Sequence, residues 1–75
     1  MVIILDNPLN TMDEVVDILM VATGCGVEEA EIEMYEAHLR GRAAVHYASK
    51  DECNQVASNI SSIGIQTEVL REWND

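Results

Sequence analysis

The four glycines of this 75-residue chain lie at the ends of its periodic segments and divide it into short elements. Glycine adopts the left-handed conformation that ends many helices at little cost. We expect Gly24 and Gly26 to end one helix and to form the turn after it. Gly41 and Gly64 are expected to end two more helices. No helix of this chain can therefore be long, and each must pack against its neighbours to be stable.

Three helix starts match these ends. Thr11 and Ser49 are good N-cap residues, and acidic residues follow both in the next turn. A second helix is predicted after Gly26, over residues 27 to 40, with Arg40 in its last turn. Apolar residues recur at helical spacing in the first and third helices, at Met12, Val15, Val16, Leu19 and Ala22 and at Cys53, Val56, Ala57 and Ile60.

Three further segments are predicted to be strands. "VIIL" at 2–5 is rich in β-branched residues and precedes a turn, "RAAVHYA" at 42–48 mixes Val and Tyr with alanines, and "IQTEVL" at 65–70 alternates. The order is β-α-α-β-α-β. We predict one domain over residues 1–75 of the α/β class, an α+β sandwich with a three-stranded, largely antiparallel sheet covered by three helices.

The charge balance limits the partners of this chain. Fourteen acidic and four basic side chains give a formal net charge of -10, which repels nucleic acids and anionic membranes and attracts cationic groups. No apolar run is long enough to span a bilayer. Cys25 and Cys53 are expected to be reduced thiols, which indicates the cytoplasm or an equivalent reducing compartment such as the plastid stroma.

The second helix has two apolar stripes, although one would be enough to bury it. One arc is acidic and expected to face solvent, with Arg40 at its end. One stripe is Ile32, Tyr35 and Leu39, the other is Val27, Ala30, Met34 and Ala37, and the acidic arc is Glu29, Glu33 and Glu36. His38 lies between the stripes. It is either a core histidine with a satisfied hydrogen bond or a residue that lines a small pocket.

Three motifs resemble the ClpS family of adaptors, which deliver N-end-rule substrates to a Clp AAA+ protease. They are "IILDN", "TM..VV.IL" and "M..AH..GRA" running into a strand, and the resemblance covers about Ile3 to Leu70. It implies a monomeric binding module that is not an enzyme and needs no cofactor or metal. The implied partners are the N-terminal segment of substrate proteins, which carries the N-degron, and the N-terminal domain of an unfoldase of the ClpA or ClpC type.

The resemblance also implies which residues bind the peptide. In the family, a pocket takes the bulky first side chain of a substrate while polar groups at its rim hold the free α-amino group. The positions that match here are Asn7 and His38 for the amino group. Those that match for the pocket are Thr11, Met12, Val15, Met34 and Ala37.

Departures from the family pattern concern the anionic contact to the ammonium and the delivery of substrates to the protease. The family asparagine is followed by two aspartates, whereas here Pro8 and Leu9 follow Asn7, so the anionic contact to the ammonium is missing at its usual place. Asp6 is a candidate to replace it. The first strand begins at Val2, so we expect a short form without the N-terminal extension, and Gln55 replaces a basic docking residue. A competitor that binds degrons or the unfoldase without delivery is therefore an alternative.

Other classes of function have less support. His38, His46, Cys25 and Cys53 are potential metal ligands, but their spacing matches no known site. A lone histidine without a nucleophile at recognisable spacing indicates no catalytic triad. An acidic interaction module unrelated to proteolysis, such as a mimic of nucleic acid, accounts for the charge but for neither Met34 nor His38.

Overall fold

The structure is a computed structural model that describes residues 1–71. Its elements are β1 (Val2–Leu5), α1 (Met12–Thr23), α2 (Val27–Arg40), β2 (Arg42–His46), α3 (Lys50–Ser61) and β3 (Thr67–Val69). The predicted α+β fold and the order of its elements are confirmed. The second and third strands are shorter than predicted, and α3 ends at Ser61, before a turn that leads to Gly64.

The sheet has the strand order β2-β1-β3, and both pairs are antiparallel. In β1, Val2 and Ile4 belong to the core cluster, and Ile3 is buried as well although one face of an antiparallel sheet can be exposed to water. Helix α1 packs against α2 and α3, while α2 lies against β2 and α3 against β1 and β3. Strand β3, from the last part of the described chain, therefore lies beside β1, from the first part.

The starts of the three helices and the ends of α1 and α2 form as the sequence predicts. The prediction that Gly64 ends α3 is wrong, because the C-cap of that helix is Ser62 in the right-handed conformation. Thr11 caps α1 in a capping box with Glu14, and the Ser49 hydroxyl accepts the amide of Glu52 at the start of α3. Helix α2 has no side-chain cap at its start, but Gly41 ends it with a φ of 87°. That conformation strains any residue with a side chain, which explains the glycine.

The core is built without phenylalanine. Its fully buried side chains include Ile4, Leu19, Ile60 and Ile65, and the whole predicted apolar face of α3 is buried, including Cys53. Helix α2 contributes one stripe to this core, at Ala30, Met34 and Ala37.

On the two remaining faces of helix α2, exposure does not follow residue type. The apolar stripe is exposed, and one residue of the acidic arc is half-buried. The stripe of Ile32, Tyr35 and Leu39 is largely exposed on the outer side of the helix. Glu33, which we expected in solvent, is half-buried because it lies one turn from both Ala30 and Ala37 at the edge of the packed face. The sequence pattern allowed two apolar faces but did not determine which one packs.

Candidate functional site

A pocket of about 230 Å³ opens between the loop after β1 and helices α1 and α2. Drug-sized ligands occupy cavities of roughly 300 to 1,000 Å³, so a volume of this size matches one side chain better than an extended molecule. Its lining is Ile4, Leu5, Asp6, Asn7, Pro8, Asn10, Met12, Val15, Met34, Ala37, His38 and Ile65.

The walls of the pocket are apolar because two helices turn one face towards it. Met12 and Val15 are three residues apart on α1 and share a face. Met34 and Ala37 share a face of α2 in the same way, and both are almost fully buried. Methionine adapts its shape readily, so these walls suit apolar side chains of more than one form.

The polar rim depends on the end of α2. Gly41 ends the helix in the left-handed conformation, and its carbonyl accepts the Asp6 amide at 2.9 Å. This bond holds Asp6 next to the last turn of α2, which carries His38. The Asp6 Oδ1 and the His38 Nδ1 are 3.6 Å apart. A substitution at Gly41 would therefore act on the rim as well as on the helix end.

His38 is not the core histidine that the sequence left open. Its side chain is 55% exposed and that of Asp6 is 40% exposed. Their separation of 3.6 Å is too long for a good hydrogen bond. A carboxylate and an imidazole nitrogen at this distance can both still accept a hydrogen bond from a donor placed between them.

Asn7 is engaged within the protein. Its amide nitrogen donates to the Gly64 carbonyl at 2.9 Å and to the Asn10 side chain, and its amide oxygen accepts the Leu9 amide at 3.0 Å. Asn10 in turn donates to the Ile63 carbonyl at 3.1 Å. The two asparagines thus hold the rim loop against the turn after α3.

Six of the seven residues that the resemblance implies line the pocket, and Thr11 lies outside this lining. The Thr11 amide donates to the carboxylate of Glu14, which lowers the pKa of that group, and the Thr11 hydroxyl accepts the Glu14 amide. Thr11 therefore serves as the cap of α1. Earlier in the same loop, Pro8 lines the pocket, whereas Leu9 is 91% exposed.

Other lining residues were not predicted from the sequence. Ile4 follows from strand alternation once the sheet face is known, but Ile65 comes from the far end of the chain. No local pattern links Ile65 to the loop after β1. The bonds from Asn7 and Asn10 to residues 63 and 64 bring it there.

The electrostatics of the rim suit a cation. Asp6 supplies a carboxylate, and the last turn of α2 presents the negative end of its helix dipole at the same place. No Lys or Arg is among the residues that line the pocket. In residues 1–71, no three His, Cys, Asp or Glu side chains are grouped so that they could hold a metal ion.

A comparison with protein families identifies the family of the chain. The model of the ATP-dependent Clp protease adaptor protein ClpS matches residues 1–68. The chain belongs to the ClpS family. Its members are non-catalytic adaptors of the Clp protease, which implies interaction with Clp unfoldases and with their substrates. A comparison with individual curated proteins found no match. Within the described part of this ClpS-family chain, no helix is both long enough and apolar enough to cross a membrane.

Proposed function

We propose that this ClpS-family protein binds the N-terminal residue of substrate proteins, with its side chain in the pocket and its α-ammonium between Asp6 and His38. The observation that carries the proposal is the pair formed by the Asp6 carboxylate and the His38 imidazole, 3.6 Å apart at the rim of an apolar pocket. An ammonium has three donors and no acceptor, so it can bridge two such acceptors.

The chemistry of the rim favours a chain terminus over an internal residue. Burial of a Leu- or Phe-sized side chain stabilises a complex by roughly 1.5 to 3 kcal/mol. Each hydrogen bond to a charged group contributes about 1.5 to 3 kcal/mol more. An internal residue has an amide instead of the ammonium and would leave the carboxylate of Asp6 without its counter-charge.

This assignment replaces the anionic contact that the sequence lacks after Asn7. Asp6 precedes Asn7, and its backbone bond to Gly41 orients it towards α2. Asn7 then supports the loop, but it also lines the pocket, and its side-chain oxygen has a second lone pair besides the one that accepts the Leu9 amide. The proposed ammonium contacts are therefore Asp6 and His38 first and Asn7 second.

The test is a fluorescence anisotropy titration with labelled peptides that begin with Leu, Phe, Tyr or Trp. We expect saturable binding that N-terminal acetylation abolishes. Asp6→Asn is expected to weaken binding about ten- to a hundredfold, the equivalent of one charge-assisted hydrogen bond. Asp17→Asn removes the same charge from an exposed site on α1 and is the matched control. Equal affinity for free and acetylated peptides would overturn the proposal.

His38→Ala separates binding from folding. The imidazole is largely exposed, so its loss is expected to weaken peptide binding with little change in melting temperature. A large drop in melting temperature would instead assign His38 to the packing of the fold.

A further inference from the structure

The outer face of α2 carries a row of apolar side chains with no partner in the described part of the chain. Ile32 is 67% exposed, Tyr35 is 49% exposed and Leu39 is 78% exposed. Their spacing of three and four residues places them on one side of the helix, opposite the buried Ala30 and Ala37. We name Ile32, Tyr35 and Leu39 the outer stripe.

The outer stripe is separate from the pocket. Met34 and Ala37 line the pocket from the packed side of α2, and His38 at the pocket rim is one turn from Tyr35, at the edge of the outer stripe. None of its three residues lines the pocket. Burial of the stripe by another molecule would therefore leave the pocket open.

Carboxylates border the outer stripe along both of its sides. Glu31 is one helical turn from Tyr35 on one side, and Glu36 is one turn from both Ile32 and Leu39 on the other. Glu29 extends the second side, and all three glutamates are exposed. Arg40, one turn from Glu36, is the one Lys or Arg of α2, so the borders of the outer stripe are net acidic and complementary to an apolar row with basic residues on its flanks.

We propose that the outer stripe is a docking surface for a basic amphipathic helix of a partner protein. Such a helix would lay its apolar side on Ile32, Tyr35 and Leu39 and place Lys or Arg residues against the flanking glutamates. Ile32 and Leu39 are seven residues apart, so the apolar contact runs along about 10 Å of α2.

A second copy of this chain is the wrong occupant on electrostatic grounds. It would bring another net charge of -10 and the same acidic rows against this face. The stripe has only three apolar side chains and is too small to offset that repulsion in a stable dimer. The same size predicts a weak, salt-sensitive contact with the basic partner.

The probe for this surface is an N-acetylated, C-amidated helical peptide of about 14 residues, with Leu on one side and Lys on both flanks. Acetylation removes the α-ammonium, so the proposed pocket chemistry cannot contribute. We expect saturable binding by fluorescence anisotropy that weakens as NaCl is added. A permuted peptide of the same composition, without an apolar side, is expected to bind at least tenfold more weakly.

Two protein variants localise the contact. The double substitution Ile32→Ser and Leu39→Ser is expected to weaken binding of the amphipathic peptide at least tenfold. Val21→Ser, at a site on α1 that is also 78% exposed, is expected to leave it unchanged. Circular dichroism establishes that each variant is folded.

Three results would overturn the proposal. One is equal binding by the double variant and the unsubstituted protein, and another is equal binding of the amphipathic and permuted peptides. The third is a dimer in sedimentation that the double variant abolishes, which would assign the stripe to a second copy. Each of these results leaves the titration with free N-terminal peptides unaffected, so the two proposals fail independently.

Discussion

Asn7 connects two distant parts of the molecule through one side chain. Its amide nitrogen contacts the Gly64 carbonyl and Asn10, and its amide oxygen accepts the Leu9 amide. These bonds hold the loop after β1 in a single position over the pocket. His38, by contrast, is exposed and makes one long contact, to Asp6. The two residues that the resemblance assigns to the ammonium thus have different structural surroundings.

This difference predicts different effects of substitution. Asn7→Ala is expected to lower the free energy of unfolding by about 0.5 to 1.5 kcal/mol, because the exposed Gly64 carbonyl and Leu9 amide exchange a protein partner for water. Urea denaturation measures the change. Asn54→Ala, at an exposed site on α3, is the control and is expected to have almost no effect. Equal values for the two variants would show that Asn7 does not support the loop.

Among the elements, helix α2 has different surroundings on each of its sides. Ala30, Met34 and Ala37 pack inwards, His38 lies at the pocket rim, and the outer stripe faces solvent. Glu33 lies at the edge of the packed side, where one carboxylate oxygen is buried with no hydrogen-bond partner among the described residues. Burial, together with the negative charges of Glu29 and Glu36, raises the pKa of Glu33 to about 7.

The raised pKa of Glu33 predicts a pH dependence of stability. The folded protein holds the Glu33 proton up to pH 7, whereas the unfolded chain releases it near pH 4.5. The folded state therefore binds more protons between these values, and the free energy of unfolding falls as pH rises through this window. We expect a loss of roughly 1 kcal/mol, which is less than the full shift implies because water still reaches part of the group.

Glu33→Gln tests this dependence, because it keeps the shape of the side chain and removes its titration. The variant is expected to be more stable than the unsubstituted protein at pH 8 and to lose the difference near pH 4.5, as measured by urea denaturation across pH. Glu31→Gln, at an exposed site on the same helix, controls for the change in net charge. Parallel pH profiles for the unsubstituted protein and Glu33→Gln would contradict the raised pKa.

At the scale of the whole molecule, the negative charge is largely uncompensated. Among residues 1–71, no Lys or Arg lies within 4 Å of a carboxylate, and the contacts of this kind are from His38 to Asp6 and from His46 to Glu52. Self-repulsion therefore destabilises the compact state, and the same field draws a cationic ligand towards the molecule. The two proposed partners, an N-terminal ammonium and a basic helix, are both cationic.

Salt should therefore stabilise the protein. Addition of about 0.2 M NaCl at pH 7 is expected to raise the melting temperature by a few degrees, because it screens the repulsion between carboxylates. Differential scanning calorimetry measures the shift. Near the isoelectric point, at a pI of about 4.3, the same addition is expected to have little effect. A melting temperature that falls with salt at pH 7 would show that the His46–Glu52 contact and others like it outweigh the repulsion.

The local sequence determined where the helices of this protein begin and where α1 and α2 end. Caps such as Thr11 and Ser49 and the C-cap Gly41 act through hydrogen bonds within a few residues, so their effect can be predicted without the rest of the chain. Periodicity also indicated the buried faces of α1 and α3. The strands β2 and β3 were predicted too long because strand ends depend on the length of β1, their common neighbour.

The tertiary structure alone decided what the candidate site contains. Ile65 enters the pocket because the chain returns beside β1, and Asp6 meets His38 because its amide binds the carbonyl of Gly41. The burial of Glu33 and the exposure of the outer stripe likewise depend on which side of α2 meets the sheet. Such contacts join residues far apart in sequence, and helical or strand periodicity carries no information about which segments meet.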